Sequence, residues 1–319
     1  MEESKFQNRR HFLRSMALGA TGVLLMPNEL LANAFPSKKK IKLTILHTND
    51  MHSHIDPFPA NDPKYAGMGG MERRAAMIER IRKEEELVLL LDSGDVFQGT
   101  PYFNYFGGEP EFKLMSLMGY DVCTMGNHDF DNGLEGFLKV LPHAKFPFVC
   151  ANYDFSETIL KDKTLPHVVI RKGPLKIGVF GLGVELEGLV AKKNYGKTRY
   201  LDPISIANQQ AAMLRHEMGC DLVVCLSHLG HSYTNEKISD MKLAAQTTNI
   251  DVILGGHTHT FMDKAELLSN KDGKVVVMNQ AAWGGLRLGR IDIAFECMRK
   301  NGEEVSSFSY IVRENEKIC

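Results

Sequence analysis

Asn127-His128-x-x-Asp131 sets an amide beside an imidazole, with a carboxylate three residues on. Asn127 offers a carbonyl oxygen to a hard or borderline cation. His128 can act on a proton, and Asp131 can orient and polarise its ring as the third member of a catalytic relay does. Taken alone, the run could also be a capped turn with a surface histidine. The rest of the chain argues against that, because similar residue types recur in Asp50-x-His52, Gly94-Asp95, Ser227-His228 and His257-x-His259, with no cysteine among them. On an extended backbone Asp50 and His52 would point to one face and could share one ion. His257 and His259 would also share a face, with roots roughly 6–7 Å apart. That is long for one ion and suits two ions about 3.5–4 Å apart. Asp95, on a Gly-Asp turn, is the natural bridge, each carboxylate oxygen serving one ion. Asp50, Asp95 and one hydroxide would leave two divalent ions a net positive charge, which favours a phosphate group and its transition state.

Strand ends are the elements that would position these residues. Ile41 to Leu46 reads as a buried strand and delivers His47 to His54. Leu87 to Leu91 delivers Asp92 to Asp95, and Val122 to Met125 delivers Gly126 to Asp131. Leu222 to Leu226 ends in Ser227-His228, and Ile250 to Leu254 in Gly255 to His259. Ligands collect at such ends in α/β sheets. Met71 to Glu85, Glu111 to Met118 and Leu134 to Leu141 read as helices. So does the segment from Asp202-Pro203 to Met218, with Asp as N-cap and Pro in the first turn. Phe146 to Cys150, Lys176 to Gly181, Lys274 to Met278, Leu288 to Phe295 and Ser306 to Val312 read as further strands. Residues 56 to 70 read as a surface loop, and Phe97 to Phe106 as an aromatic loop that forms either a rim for a base or core.

Block by block and in order, Asp50-x-His52, Gly94-Asp95, Gly126-Asn127-His128-Asp129, Ser227-His228 and Gly255-Gly256-His257-Thr258-His259 resemble the motifs of the calcineurin-like metallophosphoesterases. The fuller runs Leu46 to His52, Gly126 to Asp131 and Gly255 to His259 resemble the 5′-nucleotidase branch. The resemblance covers roughly residues 41 to 313. It implies an α/β fold of two mixed β-sheets packed as a sandwich with flanking helices, a four-layer α/β/β/α arrangement. It implies that Asp50, His52, Asp95 and His259 bind one divalent metal ion and that Asp95, Asn127, His228 and His257 bind a second. Asn127 would also touch substrate. His128 with Asp131 would stabilise the phosphoryl transition state and help the leaving group depart. The nucleophile would be a metal-bridging hydroxide, its pKa lowered by the ions. The implied activity is hydrolysis of phosphate monoesters, nucleotides foremost. A mixed Asp/Asn/His set accepts zinc, manganese, iron or cobalt. Degenerate relatives lose ligands first, and here every ligand type is present, which argues against a non-catalytic metal-binding subunit.

Several neighbouring residues are not promoted. His47 is read as packing or as support behind the ligands, His54 and His231 as support or solvent-exposed, and Asp92 as a hydrogen-bond partner of the Asp95 turn. Arg73 and Arg74 read as surface arginines, the alternative being that one of them orients a ligand or phosphate, and Trp283 is a weak candidate for substrate contact.

Composition and the chain ends complete the reading. The chain has 319 residues and a formal net charge of −1, which gives no support to nucleic-acid binding or a polybasic membrane surface. Residues 1–34 read as a signal peptide. Arg9-Arg10 ahead of the short apolar run Met16 to Met26 resembles a twin-arginine signal for export to the periplasm or beyond, the other possibility being an ordinary secretory signal. The run is too short to span a membrane, so no stable span is expected once the signal is removed. Residues 35–40 read as a linker and 41–319 as the catalytic domain. None of the six cysteines forms a CxxC pair, and Cys123, Cys150 and Cys225 read as buried free thiols. Familiar nucleotidases of this branch carry a second, nucleotide-binding domain, and no counterpart to it is expected among these residues. Three expectations follow from that difference: action alone on small phosphoesters, a substrate domain on a separate polypeptide, or related hydrolysis such as that of thiosulfohydrolases or cyclic phosphodiesterases.

Overall fold

A computed structural model describes residues 39–300, 303–312 and 316–318. The expected signal peptide lies outside the described residues. Contacts divide the chain into two units. One comprises Met1–Ile41 and Phe295–Phe308, whose described residues are extended. The other, Lys42–Ala294 with Ser309–Cys319, carries every candidate site residue.

The strands are β1 (Lys39–Thr48), β2 (Val88–Asp92), β3 (Val122–Cys123), β4 (Tyr153–Asp154), β5 (His167–Lys172), β6 (Leu175–Leu182), β7 (Arg199–Tyr200), β8 (Leu222–Ser227), β9 (Val252–Gly255), β10 (Glu266–Ser269), β11 (Val275–Gln280), β12 (Arg287–Lys300), β13 (Glu303–Val312) and β14 (Glu316–Lys317). The helices are α1 (Met71–Glu84), α2 (Pro101–Phe106), α3 (Glu109–Met118), α4 (Gly133–Val140), α5 (Lys192–Tyr195), α6 (Pro203–Ala212) and α7 (Asp240–Gln246). One six-stranded sheet runs β13-β12-β1-β2-β3 with β14 on β12, and a second runs β10-β11-β9-β8-β6-β5. β1, β2 and β3 are mutually parallel, as are β6, β8, β9 and β11, while β5 and β10 pair antiparallel at the edges of the second sheet. Both sheets therefore contain a set of neighbouring parallel strands, and the carboxyl ends of β1, β2, β3, β8 and β9 lead into the polar runs.

The two faces of the central strands enter different parts of the core. Leu46, Val88, Leu90 and Cys123 join the core that includes Ile78 and Ile81 of α1 and Phe112 and Met115 of α3. Phe180, Leu182, Val223, Cys225 and Ile253 join Ala207 and Ala211 of α6 and Leu243 of α7. The alternate residues Ile45, Leu89, Leu91, Val179, Val224, Leu226, Val252 and Leu254 are fully buried as well. Burial on both faces is the signature of parallel strands covered on two sides. This is the mixed, multi-sheet α/β arrangement that the sequence resemblance implies.

Several elements differ from expectation. β1 begins at Lys39, within the expected linker. Phe146 to Cys150 forms isolated bridges, Phe148 to Cys123 and Val149 to Leu165, in place of a strand. The aromatic loop contains a helix, α2, started by Pro101 after Thr100 and closed by Gly107 in the left-handed region. Asp202 caps α6 through Ser205 N–H as expected, but beyond Ala212 the helix widens into a π-turn, Met213–Glu217. Arg74 is not on the surface. The buried stripe of α1 falls on Met71, Arg74, Ile78 and Ile81, a phase that includes Arg74 and carries it inside, with no hydrogen-bond partner for its guanidinium nitrogens. Arg73 is exposed and donates to the Gly67 carbonyl. Cys123, Cys150, Cys220 and Cys225 are buried free thiols.

Candidate active site

The loops that leave β1 and β2 are laced together by backbone hydrogen bonds. Asp50, His52 and Ser53 donate their N–H groups to the carbonyls of Gly94, Asp95 and Val96, at 2.8, 3.0 and 2.9 Å. From the second sheet, His257 N–H donates to both oxygens of Asp50 at 3.0 Å, and Ser93 Oγ donates to the Leu254 carbonyl at 2.7 Å. Strand ends from both sheets thus meet at one place. The site residues are not extended there. Asp50, His52, Asp95, His257 and His259 have φ of 49°, 48°, 56°, 70° and 51°. The expectation that spacing by two on an extended chain aligns these side chains is replaced by tight turns in the left-handed region. Such backbone strain is characteristic of functional sites.

Those turns gather two groups. Asp50, His52 and His259 form one, and Asp95, His228 and His257 the other, with the candidate ligand atoms of each group within 4.8 Å of one another. His257 and His259 therefore part company, as their spacing implies, for a different geometric reason. Asp95 stands between the groups. Its Oδ1 accepts His128 N–H at 2.7 Å, while its Oδ2 lies 3.0 Å from His228 Nε2 and 4.0 Å from His52 Nε2. The oxygen that faces both groups is Oδ2.

The donor atoms fit divalent ions. His228 Nδ1 donates to the Ser93 carbonyl at 2.7 Å, which turns Nε2 toward Asp95 Oδ2, 3.0 Å away, as the nitrogen that would bind an ion. Asn127 Oδ1 is buried without a partner. His52 Nε2 and His259 Nε2 approach to 2.9 Å, and His259 Nε2 lies 3.3 Å from Asp50 Oδ1. Electron-rich atoms converge in this way when a cation is to sit among them. Burial lowers the imidazoles of His52 and His257, the latter to about 4, and so holds them in the neutral form that binds metal. Burial alone would lower His228 too, but Asp95 beside it raises its imidazole to about 10 in the metal-free protein. Burial opposes ionisation of Asp95, but His228 outweighs it and holds the carboxyl below its usual range.

Beside the groups, His128 Nδ1 bonds Asp131 Oδ2 at 2.8 Å, and the His128 ring lies 5.2 Å from that of His52. The Asp131 hydrogen bond raises the imidazole of His128. Gly126 is obligatory here: a Cβ would fall 2.2 Å from Asp95 Oδ1 and 2.6 Å from His228 Cε1.

The family model for calcineurin-like phosphoesterases matches residues 43–261, a span that contains both groups and the dyad. The chain belongs to that family. A 5′-nucleotidase of the venom of Crotalus adamanteus is 33% identical over 275 residues, which covers 80% of this chain and 45% of the relative. The trifunctional nucleotide phosphoesterase YfkN of Bacillus subtilis is 33% identical over 287 residues, covering 80% and 18%. The crystal structure of a 5′-nucleotidase precursor from Thermus thermophilus superposes with a TM-score of 0.73 at 31% identity, covering 86% of this chain and 54% of that one. The chain thus spans about half the length, or less, of the relatives it matches.

Of the nine residues predicted for the site in this phosphoesterase, six form the two groups, the His128–Asp131 pair stands beside them, and Asn127 precedes His128 in the chain. The neighbours left aside also find places. His47 is fully buried with neither ring nitrogen bonded, and burial lowers it to about 3, so its role is packing. Asp92 accepts from Gly94 N–H at 2.9 Å and from Thr48 Oγ, and so holds the Asp95 turn. His231 bonds Ser232 Oγ and lies 3.5 Å from Glu266, and His54 stacks on Phe58. Trp283 stacks on His259, ring centroids 5.5 Å apart and planes within 10°. Two further residues have roles that sequence reasoning missed. Asp129, raised to about 7 by burial, accepts from the N–H groups of Asp95, Val96, Phe97 and Gly126 and clamps two ligand loops together. Asn49 donates to Asp50 Oδ2 and to the Ala282 carbonyl, both at 2.6 Å, and accepts from Ala281 N–H. Both lie inside the family motifs, and their place beside a ligand was the available signal.

Proposed function

We propose that this chain is a dinuclear, metal-dependent phosphomonoesterase of the 5′-nucleotidase type. The observation that carries the reading is the pair of ligand groups meeting at Asp95 Oδ2, with the His128–Asp131 pair at their side. Asp50, His52, Asp95 and His259 would hold one ion, and Asp95, Asn127, His228 and His257 the other. Divalent zinc, manganese, iron or cobalt there would supply a nucleophilic water at neutral pH and counter the charge of the phosphoryl group. The chain's own residues do the rest. Asn127 and His128 border the place a phosphate would occupy. With Nδ1 taken by Asp131, His128 presents Nε2 to a substrate and can donate a proton to the departing alkoxide. Its side chain is 37% exposed, so a substrate can reach it.

The test is metal analysis with a phosphomonoester panel on the metal-loaded chain. Two metal equivalents and hydrolysis are expected; fewer than two, or no turnover with any of the four metals, would refute the reading. His128→Ala should keep both ions and lose roughly 10²–10⁴-fold in turnover, less for nitrophenyl phosphate, whose leaving group needs no proton. A metal-depleted His128→Ala would instead make that residue a ligand. Export through the twin-arginine route belongs to the same proposal. Arg9→Lys with Arg10→Lys should trap the precursor in the cytoplasm, and unchanged export would point to the general secretory route.

A further inference from the structure

A carboxylate at the first position of a helix normally stays in water, where it complements the helix dipole. Asp240 opens α7 and does the opposite. It is fully buried, although Ser239 already caps the helix by accepting from Lys242 N–H. Among the described residues its Oδ2 has no hydrogen-bond partner. Burying a carboxyl with one oxygen unpaired costs free energy that the helix does not demand.

The neighbours of Asp240 are the two ligand loops of the second sheet. Its Oδ1 accepts from Ser227 Oγ, and Ser227 precedes His228. Its N–H donates to the Gly230 carbonyl at 2.8 Å, and Leu229 N–H reaches back to Ser227 Oγ at 3.3 Å. One residue thus holds the chain on both sides of His228. Oδ2 lies against the other loop, where a Cβ on Gly255 would fall 2.3 Å from it. Gly255 ends β9 and stands two residues before His257. The ladder between β8 and β9 stops at Leu226 and Leu254, one residue short of Ser227 and Gly255. Asp240 takes over where that ladder ends. Farther out, Gln280 Nε2 donates to the Gly256 carbonyl at 2.7 Å and His231 N–H to Thr258 Oγ1 at 2.9 Å. Asp240 holds the roots of the two loops, as Asp129 holds those of the first sheet.

We propose that Asp240 is a positioning residue for the second metal ion: by fixing Ser227 and Gly255 relative to each other, it sets the distance between His228 and His257. The inference rests on the dinuclear reading and adds to it a residue outside both ligand groups.

Metal titration of the metal-free chain, followed by calorimetry and, for cobalt, by absorption, tests this without turnover. Asp240→Ala should weaken the ion of the Asp95–His228–His257 group about 10- to 100-fold, the usual cost of losing a group that orients ligands, and leave the other ion unchanged. The cobalt spectrum of the weakened ion should change as well. Asp240→Asn has the same shape and keeps the acceptor for Ser227 Oγ, so it should restore both affinity and spectrum. Gly255→Ala drives a methyl into Oδ2. It should weaken the same ion in the wild-type background and add little to Asp240→Ala, because both act on one contact. With a phosphomonoester, KM should stay at the wild-type value, and turnover should return when the metal concentration is raised in proportion. Unaltered affinity in Asp240→Ala, equal weakening of both ions, or turnover that excess metal does not restore would each overturn the proposal. So would equal losses in Asp240→Asn and Asp240→Ala, which would make charge the property in use, or additive losses in the double variant. Should Asp240→Ala fail to fold, Ser227→Ala removes the same hydrogen bond and carries the same comparison. Failure of the phosphomonoesterase reading would show separately, as two bound ions with no ester hydrolysed, and the titration would still report on Asp240.

Discussion

The Asp95–His228–His257 group and the Asp50–His52–His259 group use the same residue types at strand ends, each with two buried residues and one half-buried histidine, yet their best-covered histidines differ. In the first, the side chains of His228 and Asp95 are 0% and 2% exposed. In the second, His52 is 8% and His259 39% exposed. Hydrogen bonds fix His228 and Asp95: the Ser93 carbonyl orients His228, His128 N–H takes Asp95 Oδ1, and the Asp129 carboxylate holds the loop behind. The open group is bounded by other rings, Trp283 on His259 and His128 edge-on to His52. The contrast teaches a division of labour. His228 and Asp95 are held in place by the surrounding backbone, and His259 is the more open of the ligand residues with a stated exposure.

Breaking the element the groups share should have the largest effect. Asp95→Ala should lose both ions by elemental analysis and all measurable hydrolysis. Retention of two equivalents would remove Asp95 from the bridge and merge the comparison into two independent sites.

Next in size is the difference in fold stability. His228→Ala in the metal-free protein removes one partner of a buried charged pair, which costs about 3–5 kcal/mol. His259→Ala, half open to water, should stay within about 1 kcal/mol of wild type. Thermal denaturation of the two variants side by side decides the matter, and equal losses would mean that burial does not distinguish the groups.

Asp129→Asn should weaken metal binding about 10- to 100-fold, the usual cost of disturbing a residue that orients ligands. The loss should fall mainly on the covered group, because the N–H groups that Asp129 accepts flank Asp95 and Gly126. Equal weakening of both ions in a calorimetric titration would assign the clamp to the whole site.

The smallest effect is in protons. With its imidazole raised to about 10 by Asp95, His228 carries a proton in the metal-free protein at pH 7.5, and that proton must leave when Nε2 becomes a ligand. Loading the covered group should therefore release about one proton, measurable by calorimetry in buffers of different ionisation enthalpy. His52, lowered by burial, has none to give at that pH, so the open group should release less. Equal release from both would mean that His228 is already neutral.

Much of this was legible from residue order. The strands that deliver ligands are short apolar runs closed by Asp, Asn or His, and β1, β2, β8 and β9 end within a residue or two of the places those runs predict. The edge strands β5 and β10 escaped notice because they are half exposed and their apolar runs are only two or three residues long, flanked by charged or polar residues. α2 was hidden because its aromatic spacing faces outward, and a periodic stripe is normally taken for core. Arg74 was misplaced because a charged residue outweighs helical phase when a face is chosen by composition alone.

Residue type and order settled which side chains could hold metal, that they fall at strand ends, and which family of motifs they spell. Those facts are local: a ligand must be Asp, Asn or His, and a strand must be apolar before it can be buried. Tertiary structure decided how the ligands divide. His257 and His259 are two residues apart in the chain and belong to different groups because left-handed turns aim them apart. His259 and Asp50 are distant in sequence, yet their ligand atoms lie 3.3 Å apart because two sheets bring their carboxyl ends together. Burial was decided there as well. Whether an imidazole is neutral or charged, covered or open, depends on what packs over it, and that follows from contacts across the fold that no local pattern encodes.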